Sequence, residues 1–220
     1  MPTLIALNGV SFTDGPGCTT QGTTKNGLDF TTGCYGHAVD DRGAIVATTD
    51  GGATWTTQVP SPSLVGTGDL YGAWFADHAN GWAVGDGGKI LATADGGRTW
   101  APQNGTVVAP IPSFASVAFA NRSRGWAVSC LSNTVLNCDS GSGVIVTTAD
   151  GGRTWSSMLN PGDVGLRDVA AVADPARGVV RVFAVGEGGR ILRLTTPIAP
   201  TALRLQSVSC TRRPALPRRR

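Results

Sequence analysis

The chain has 220 residues, 41% hydrophobic and 15% charged, with 31 glycines, 13 prolines, five cysteines and a formal net charge of +3. So much Gly and Pro beside plentiful Leu, Ile and Val argues against disorder and for many short strands joined by tight turns. No apolar run reaches the roughly 18 residues of a spanning helix, and MPTLIALNGV lacks the basic start and apolar length of a signal peptide.

In chain order, the first apolar run is LNGVSFTD (7–14), followed after an interruption by YGHAVDDRGAIVATTDGGATW (35–55). The same pair returns as LYGAWFAD (70–77) with GWAVGDGGKILATADGGRTW (81–100). It returns again as FASVAFAN (114–121) with GWAVSC and GSGVIVTTADGGRTW (125–155), and in decayed form as LRDVAAVAD (166–174) with RVFAVGEGGRILRLTTPIAP (181–200). Gly43, Gly88, Gly143 and Gly189 fall in register at intervals of about 45 to 55 residues, a period that marks a repeat architecture. Within a unit, WAVG and KILAT are β-prone runs separated by Asp-Gly-Gly, which supplies the positive φ angles of a tight hairpin. The leading run predicts a strand before this hairpin, and a further strand is expected to begin at the Trp that closes the unit. Four antiparallel strands per unit is the plan of a β-propeller blade.

Two units are interrupted, between Phe12 and Ala38 and between Ala127 and Gly143. Cys18 and Cys34 lie in the first interruption and Cys130 and Cys138 in the second, which predicts that each pair closes its own loop as a disulfide. Unpaired thiols and zinc are the alternatives; no C-x-x-C spacing occurs. Disulfides imply an oxidising, extracytoplasmic compartment. Cys210 is left over. It falls in the tail, where Arg204, Arg212, Arg213, Arg218, Arg219 and Arg220 supply six of the 18 basic residues, so that residues 1–203 carry 12 basic against 15 acidic residues, a net of −3. A mildly acidic body, and a tail without aromatic residues to stack on bases, make nucleic acid an unexpected partner.

The segment Thr93, Asp95, Gly97, Thr99, Trp100 resembles the Asp-box, or bacterial neuraminidase repeat, and is matched by Thr48, Asp50, Gly52, Thr54, Trp55 and by Thr148, Asp150, Gly152, Thr154, Trp155. The carboxylate is expected to accept bonds from its own turn, the hydroxyls to bridge locally and the Trp to cover the apolar side of the hairpin. In the fourth unit Leu194, Thr196 and Thr201 stand where Thr, Asp and Trp belong, so the box is lost. Propellers with this box include sialidases, and the resemblance would imply an arginine triad, a Tyr nucleophile with a Glu partner, and an Asp acid/base. Against that stand only Tyr35 and Tyr71 and a single Glu, Glu187, which occupies the hairpin turn where the earlier units have Asp41 and Asp86. Carboxylates at repeat-equivalent turns read as turn residues rather than as a catalytic pair in two unequal environments. His37 replaces the Trp of GWAV and reads as a strand residue, His78 as a turn residue, and Trp74, Trp82 and Trp126 as core.

The phrase GWAVGDGGKILATADGGRTW is also similar to the unit of the photosystem II stability and assembly factor family, non-catalytic seven-bladed propellers. That resemblance implies binding of a protein partner, in part through basic residues, for which Arg42, Lys89 and Arg190 beside the hairpin glycines are the candidates. The expected protein is an all-β propeller of four recognisable blades (5–62, 63–108, 109–162, 163–203), a partial ring or one completed by self-association. Residues 204–220 are expected to form an extra strand and a disordered basic tail. No cofactor, metal or catalytic residue is expected, and ligands are expected on the face shared by the hairpins and the loops joining blades, 58–70, 103–114, 160–165 and 130–138. A carbohydrate-active propeller or a structural fragment of a longer repeat protein are the alternatives.

Overall fold

Each apolar run of the repeat becomes a strand. The computed structural model describes residues 6–15, 34–59, 68–103, 113–129, 143–158 and 165–198. Unit one forms β1 (Leu7–Thr13), β2 (Tyr35–Asp40), β3 (Ile45–Thr48) and β4 (Thr56–Val59), paired in that order as an antiparallel sheet. Unit two repeats the plan with β5 (Leu70–Phe75), β6 (Gly81–Gly85), β7 (Lys89–Thr93) and β8 (Ala101–Pro102), and unit three with β9 (Phe114–Phe119), β10 (Gly125–Ser129), β11 (Ile145–Thr148) and β12 (Ser156–Met158). The protein is all-β, and the likeness of its four consecutive sheets to propeller blades is direct.

Unit four has three strands among the described residues, β13 (Leu166–Asp174), β14 (Val179–Gly186) and β15 (Arg190–Pro197). The loss of the box explains its shape. With no carboxylate to turn the chain after the third strand, β15 runs on to Pro197, and its ladder with β14 continues from Gly186↔Arg190 to Val179↔Pro197. Residues 204–220, expected to form an extra strand and a basic tail, and the Cys130 to Cys138 loop lie outside the described residues.

The sheets stack in chain order: β1 packs beside β5, β5 beside β9 and β9 beside β13, with no comparable packing of β13 on β1 among the described residues. The core is therefore three interfaces rather than one centre. Val39, Ile45, Leu70, Phe75, Ala83, Leu91 and Trp100 fill the first; Trp82, Val84, Ile90, Phe119 and Trp155 dominate the second; Trp126, Leu166, Val180, Val182 and Leu192 dominate the third. Strand alternation makes this possible, because each blade sends one side-chain row to the blade before it and the other to the blade after it. The second strands of blades two and three are accordingly buried along their whole length, GWAVG of β6 and GWAVS of β10.

Candidate functional site

At the hairpin end, Gly87 and Gly88 adopt φ of 63° and 72°, the left-handed pair that a two-residue turn requires, so β6 and β7 stay in tight register. The carboxylates of this end are engaged in the fold. Asp41 accepts a bond from Asn8 Nδ2 at 2.7 Å, and the same amide also donates to the Leu70 carbonyl at 2.9 Å, tying blade one to blade two. Asp86 accepts from the Asp69 backbone N–H (3.1 Å), the Tyr71 hydroxyl (2.9 Å) and the Ser113 hydroxyl (2.8 Å), and so fastens the second hairpin to the starts of β5 and β9. Glu187 is paired with Arg167. Burial, with Asp86 close by, raises the Asp69 carboxyl above its ordinary range. Around these groups Arg42 and Arg190 are exposed and Lys89 is half-buried. Lys89 and Arg190 hold the same register position, directly after the hairpin glycines, whereas Arg42 precedes Gly43.

At the opposite end, the three boxes share one geometry. Thr48 Oγ1 donates to Asp50 Oδ1 (2.6 Å), the Thr54 N–H donates to the same oxygen (2.9 Å), Thr54 Oγ1 donates to Oδ2 (2.6 Å), and the Gly52 N–H donates to Thr48 Oγ1 (3.0 Å). Thr93, Asp95, Gly97 and Thr99 repeat the set, as do Thr148, Asp150, Gly152 and Thr154. The aspartates are used up in holding their own turns. The Thr48 hydroxyl, then the Thr54 hydroxyl and N–H, hold the Asp50 carboxyl down to about 2.

A pocket of about 350 Å³ opens between blades one and two at this box end, among Tyr35, His37, Gln58, His78, Asp95 and Arg98. Its cause is a sequence substitution. In blade two, Trp82 stacks on Phe119 at 3.8 Å and its indole N–H donates to the Gly151 carbonyl at 3.1 Å. His37, at the same register position in blade one, stacks on Phe75 at 3.7 Å and places Nε2 3.1 Å from the Gly96 carbonyl, but fills less volume. The departure of His37 from the GWAV pattern was the only sequence signal for this pocket; the convergence of Tyr35, Gln58, His78 and Arg98 on it had none.

Burial holds the His37 imidazole below its ordinary range, with the bond to Gly96 acting against that effect. The folded form thus refuses a proton that the unfolded chain accepts below pH about 6.5, so stability falls as pH drops through that value. Asp50 contributes stability that is present above about pH 4 and lost as pH falls toward 2. Thermal melts across pH are therefore expected to decline in two windows, and His37→Phe is expected to abolish the upper one. A His37→Phe protein whose melting temperature still dropped between pH 7 and 5 would contradict this account.

Cys34 carries a disulfide bond. Cys18, Cys130, Cys138 and Cys210 lie outside the described residues, so the predicted pairings stand as proposals. Among the described residues no group of His, Cys, Asp or Glu is arranged to hold a metal ion, and no helix is long and apolar enough to cross a membrane.

The sheet order and the fasteners between consecutive blades define the class, a β-propeller of about four blades. Solved structures agree. YCF48 bound to a D1 peptide is 20% identical with a TM-score of 0.50, covering 85% of this chain and 48% of that one. YCF48 from Cyanidioschyzon merolae is 14% identical with a TM-score of 0.56, covering 95% of this chain and 73% of that one. An ancestral GH74 enzyme is 13% identical with a TM-score of 0.62, covering 86% of this chain and 25% of that one. At such identities the likeness establishes the fold, and the chain spans about half of the peptide-bound YCF48 and a quarter of the GH74 enzyme. No protein-family model and no curated protein matches the chain.

Proposed function

We propose that this chain is a non-catalytic propeller scaffold that binds a protein partner at the hairpin end of its blades, with Arg42, Lys89 and Arg190 making the charged contacts. The observation that carries the reading is the division of labour at that end. Asp41, Asp86 and Glu187 are engaged in fastening strands, while Arg42 and Arg190 present exposed side chains around them. YCF48, a propeller of similar fold, has been solved with a peptide bound. The blade limits 5–62, 63–108, 109–162 and 163–203, the pairings Cys18 with Cys34 and Cys130 with Cys138, and an extracytoplasmic location belong to the same proposal.

Glycoside hydrolysis is the second reading, and the GH74 likeness and the blade one–two pocket favour looking there. The carboxylate available in that pocket, Asp95, is committed to Thr93 and Thr99, which leaves no second carboxylate to pair with it among the described lining residues.

Reversing all three charges (Arg42→Glu, Lys89→Glu, Arg190→Glu) is expected to weaken binding of an acidic peptide about tenfold, from three rim contacts of roughly 0.5 kcal/mol each. Fluorescence anisotropy against a panel of acidic and basic peptides, the D1 peptide among them, makes the comparison. Equal affinities for the wild-type and reversed proteins would remove the hairpin end from consideration.

A further inference from the structure

The repeat carries its own docking code, and one copy of each half is unmated. In blade two Phe75 meets Trp100 edge to face (5.8 Å, 85°) and stacks on His37 of blade one; in blade three Phe119 meets Trp155 (5.8 Å, 86°) and stacks on Trp82 of blade two. Blade one holds the same pair, Phe12 against Trp55 (5.9 Å, 85°), on the face turned away from blade two. There Phe12 is 45% and Trp55 38% exposed, whereas Phe75, Trp100, Phe119 and Trp155 are all at 5% or less. Leu7 and Val10 follow the same rule, at 54% and 61% against 1% for Leu70 and 4% for Val117 at the corresponding positions.

The receiving half is open at the other end. Strand pairing puts Phe183, Val185 and Ile191 of blade four where blade two has Trp82, Val84 and Ile90. The blade two residues are all at 4% or less, while Phe183, Val185 and Ile191 are 36%, 39% and 63% exposed. Charge agrees with shape. Arg193 pairs with Phe183 as Ala47 pairs with His37, and Asp50 stands where Asp95 stands in the next blade; Ala47 and Asp95 line one pocket. Superposing the blade one–two contact on the open ends therefore brings Arg193 toward Asp50.

We propose that two copies of this chain close head to tail, the Phe12–Trp55 face of each docking on the Phe183–Ile191 face of the other, to form an eight-bladed ring. The occupant is a second copy because one chain holds both mates in the register of its own internal interfaces, and four plus four blades stays within the usual range of propellers. The contact is heterologous, so the two faces of one copy do not meet each other.

Size-exclusion chromatography with light scattering, with and without reductant, tests this. The wild-type protein is expected at twice the 22.5 kDa chain mass. Phe12→Asp and Phe183→Asp each change a ring that is partly exposed, and are each expected to give monomers that still unfold cooperatively, at a melting temperature lower than that of the dimer by what association contributes. Mixed in equal amounts, they are expected to regain a dimer through the one unsubstituted contact, Phe12 of the Phe183→Asp copy on Phe183 of the Phe12→Asp copy, the other contact carrying both aspartates. A monomeric wild-type protein, whose open faces would then serve another protein or further blades, overturns the proposal. So does a mass that climbs with concentration as an open polymer, or a mixture of variants that stays monomeric.

Discussion

Trp155→Ala is expected to lower unfolding free energy by about 3 to 5 kcal/mol, and Trp55→Ala by less than about 1.5 kcal/mol, although the two residues close identical boxes. The difference lies in what stands beyond each ring. Trp155 is 1% exposed and abuts Phe119, which also stacks on Trp74 and Trp82 of the preceding blade, so truncation opens a cavity inside an interface. Trp55 is 38% exposed and its Nε1–H bonds only the Gly52 carbonyl of its own turn at 3.1 Å. Chemical denaturation at matched protein concentration measures both, and carrying Phe183→Asp in each protein keeps association out of the comparison. Equal losses would mean that the closing Trp acts only within its own turn and adds nothing between blades.

Gly85→Ala is expected to cost about 3 kcal/mol through backbone displacement, with Gly87→Ala costing only about 1 kcal/mol. A methyl group on Gly85 falls on the carbonyl oxygen of Asp69, and the Leu70 Cα lies 2.9 Å from the same point. No flexible side chain is there to yield, and the Asp69 carbonyl is already bonded by the Asp86 N–H at 2.9 Å. A methyl group on Gly87 meets nothing within 4 Å, so its cost comes only from the φ of 63°. Denaturation midpoints with unchanged slopes check this. A larger loss at Gly87 than at Gly85 would place the constraint in the turn itself rather than in the approach of β5 to β6.

The fold was legible to the extent that it is local. The β-prone runs WAVG and KILAT, paired glycines between them, and a carboxylate two residues after a Thr each act over a few residues, so the strands, hairpins and box bonds lie where the motifs place them. The expectation that Asp41, Asp86 and Glu187 are turn residues agrees with their bonds to strand starts. The pocket was not legible, because a His in place of a Trp shows a missing volume only once Phe75 and Gly96 are seen across the blade boundary. Nor was the shape of unit four, where the loss of a turn appears as a longer ladder rather than as a new motif.

Sequence alone specified the repeat, its hairpins and the chemistry of its boxes, because those depend on side chains acting on their own turn. Only tertiary structure decided which copies of a repeated residue are buried. Phe12, Phe75 and Phe119 look alike as letters, and each packs edge to face on its own Trp; yet Phe75 and Phe119 close an interface, whereas Phe12 faces outward because no blade of the same chain precedes it among the described residues. The physical reason is that a propeller interface needs two blades, so the burial of an apolar residue is set by its place in the array and not by its neighbours in the chain.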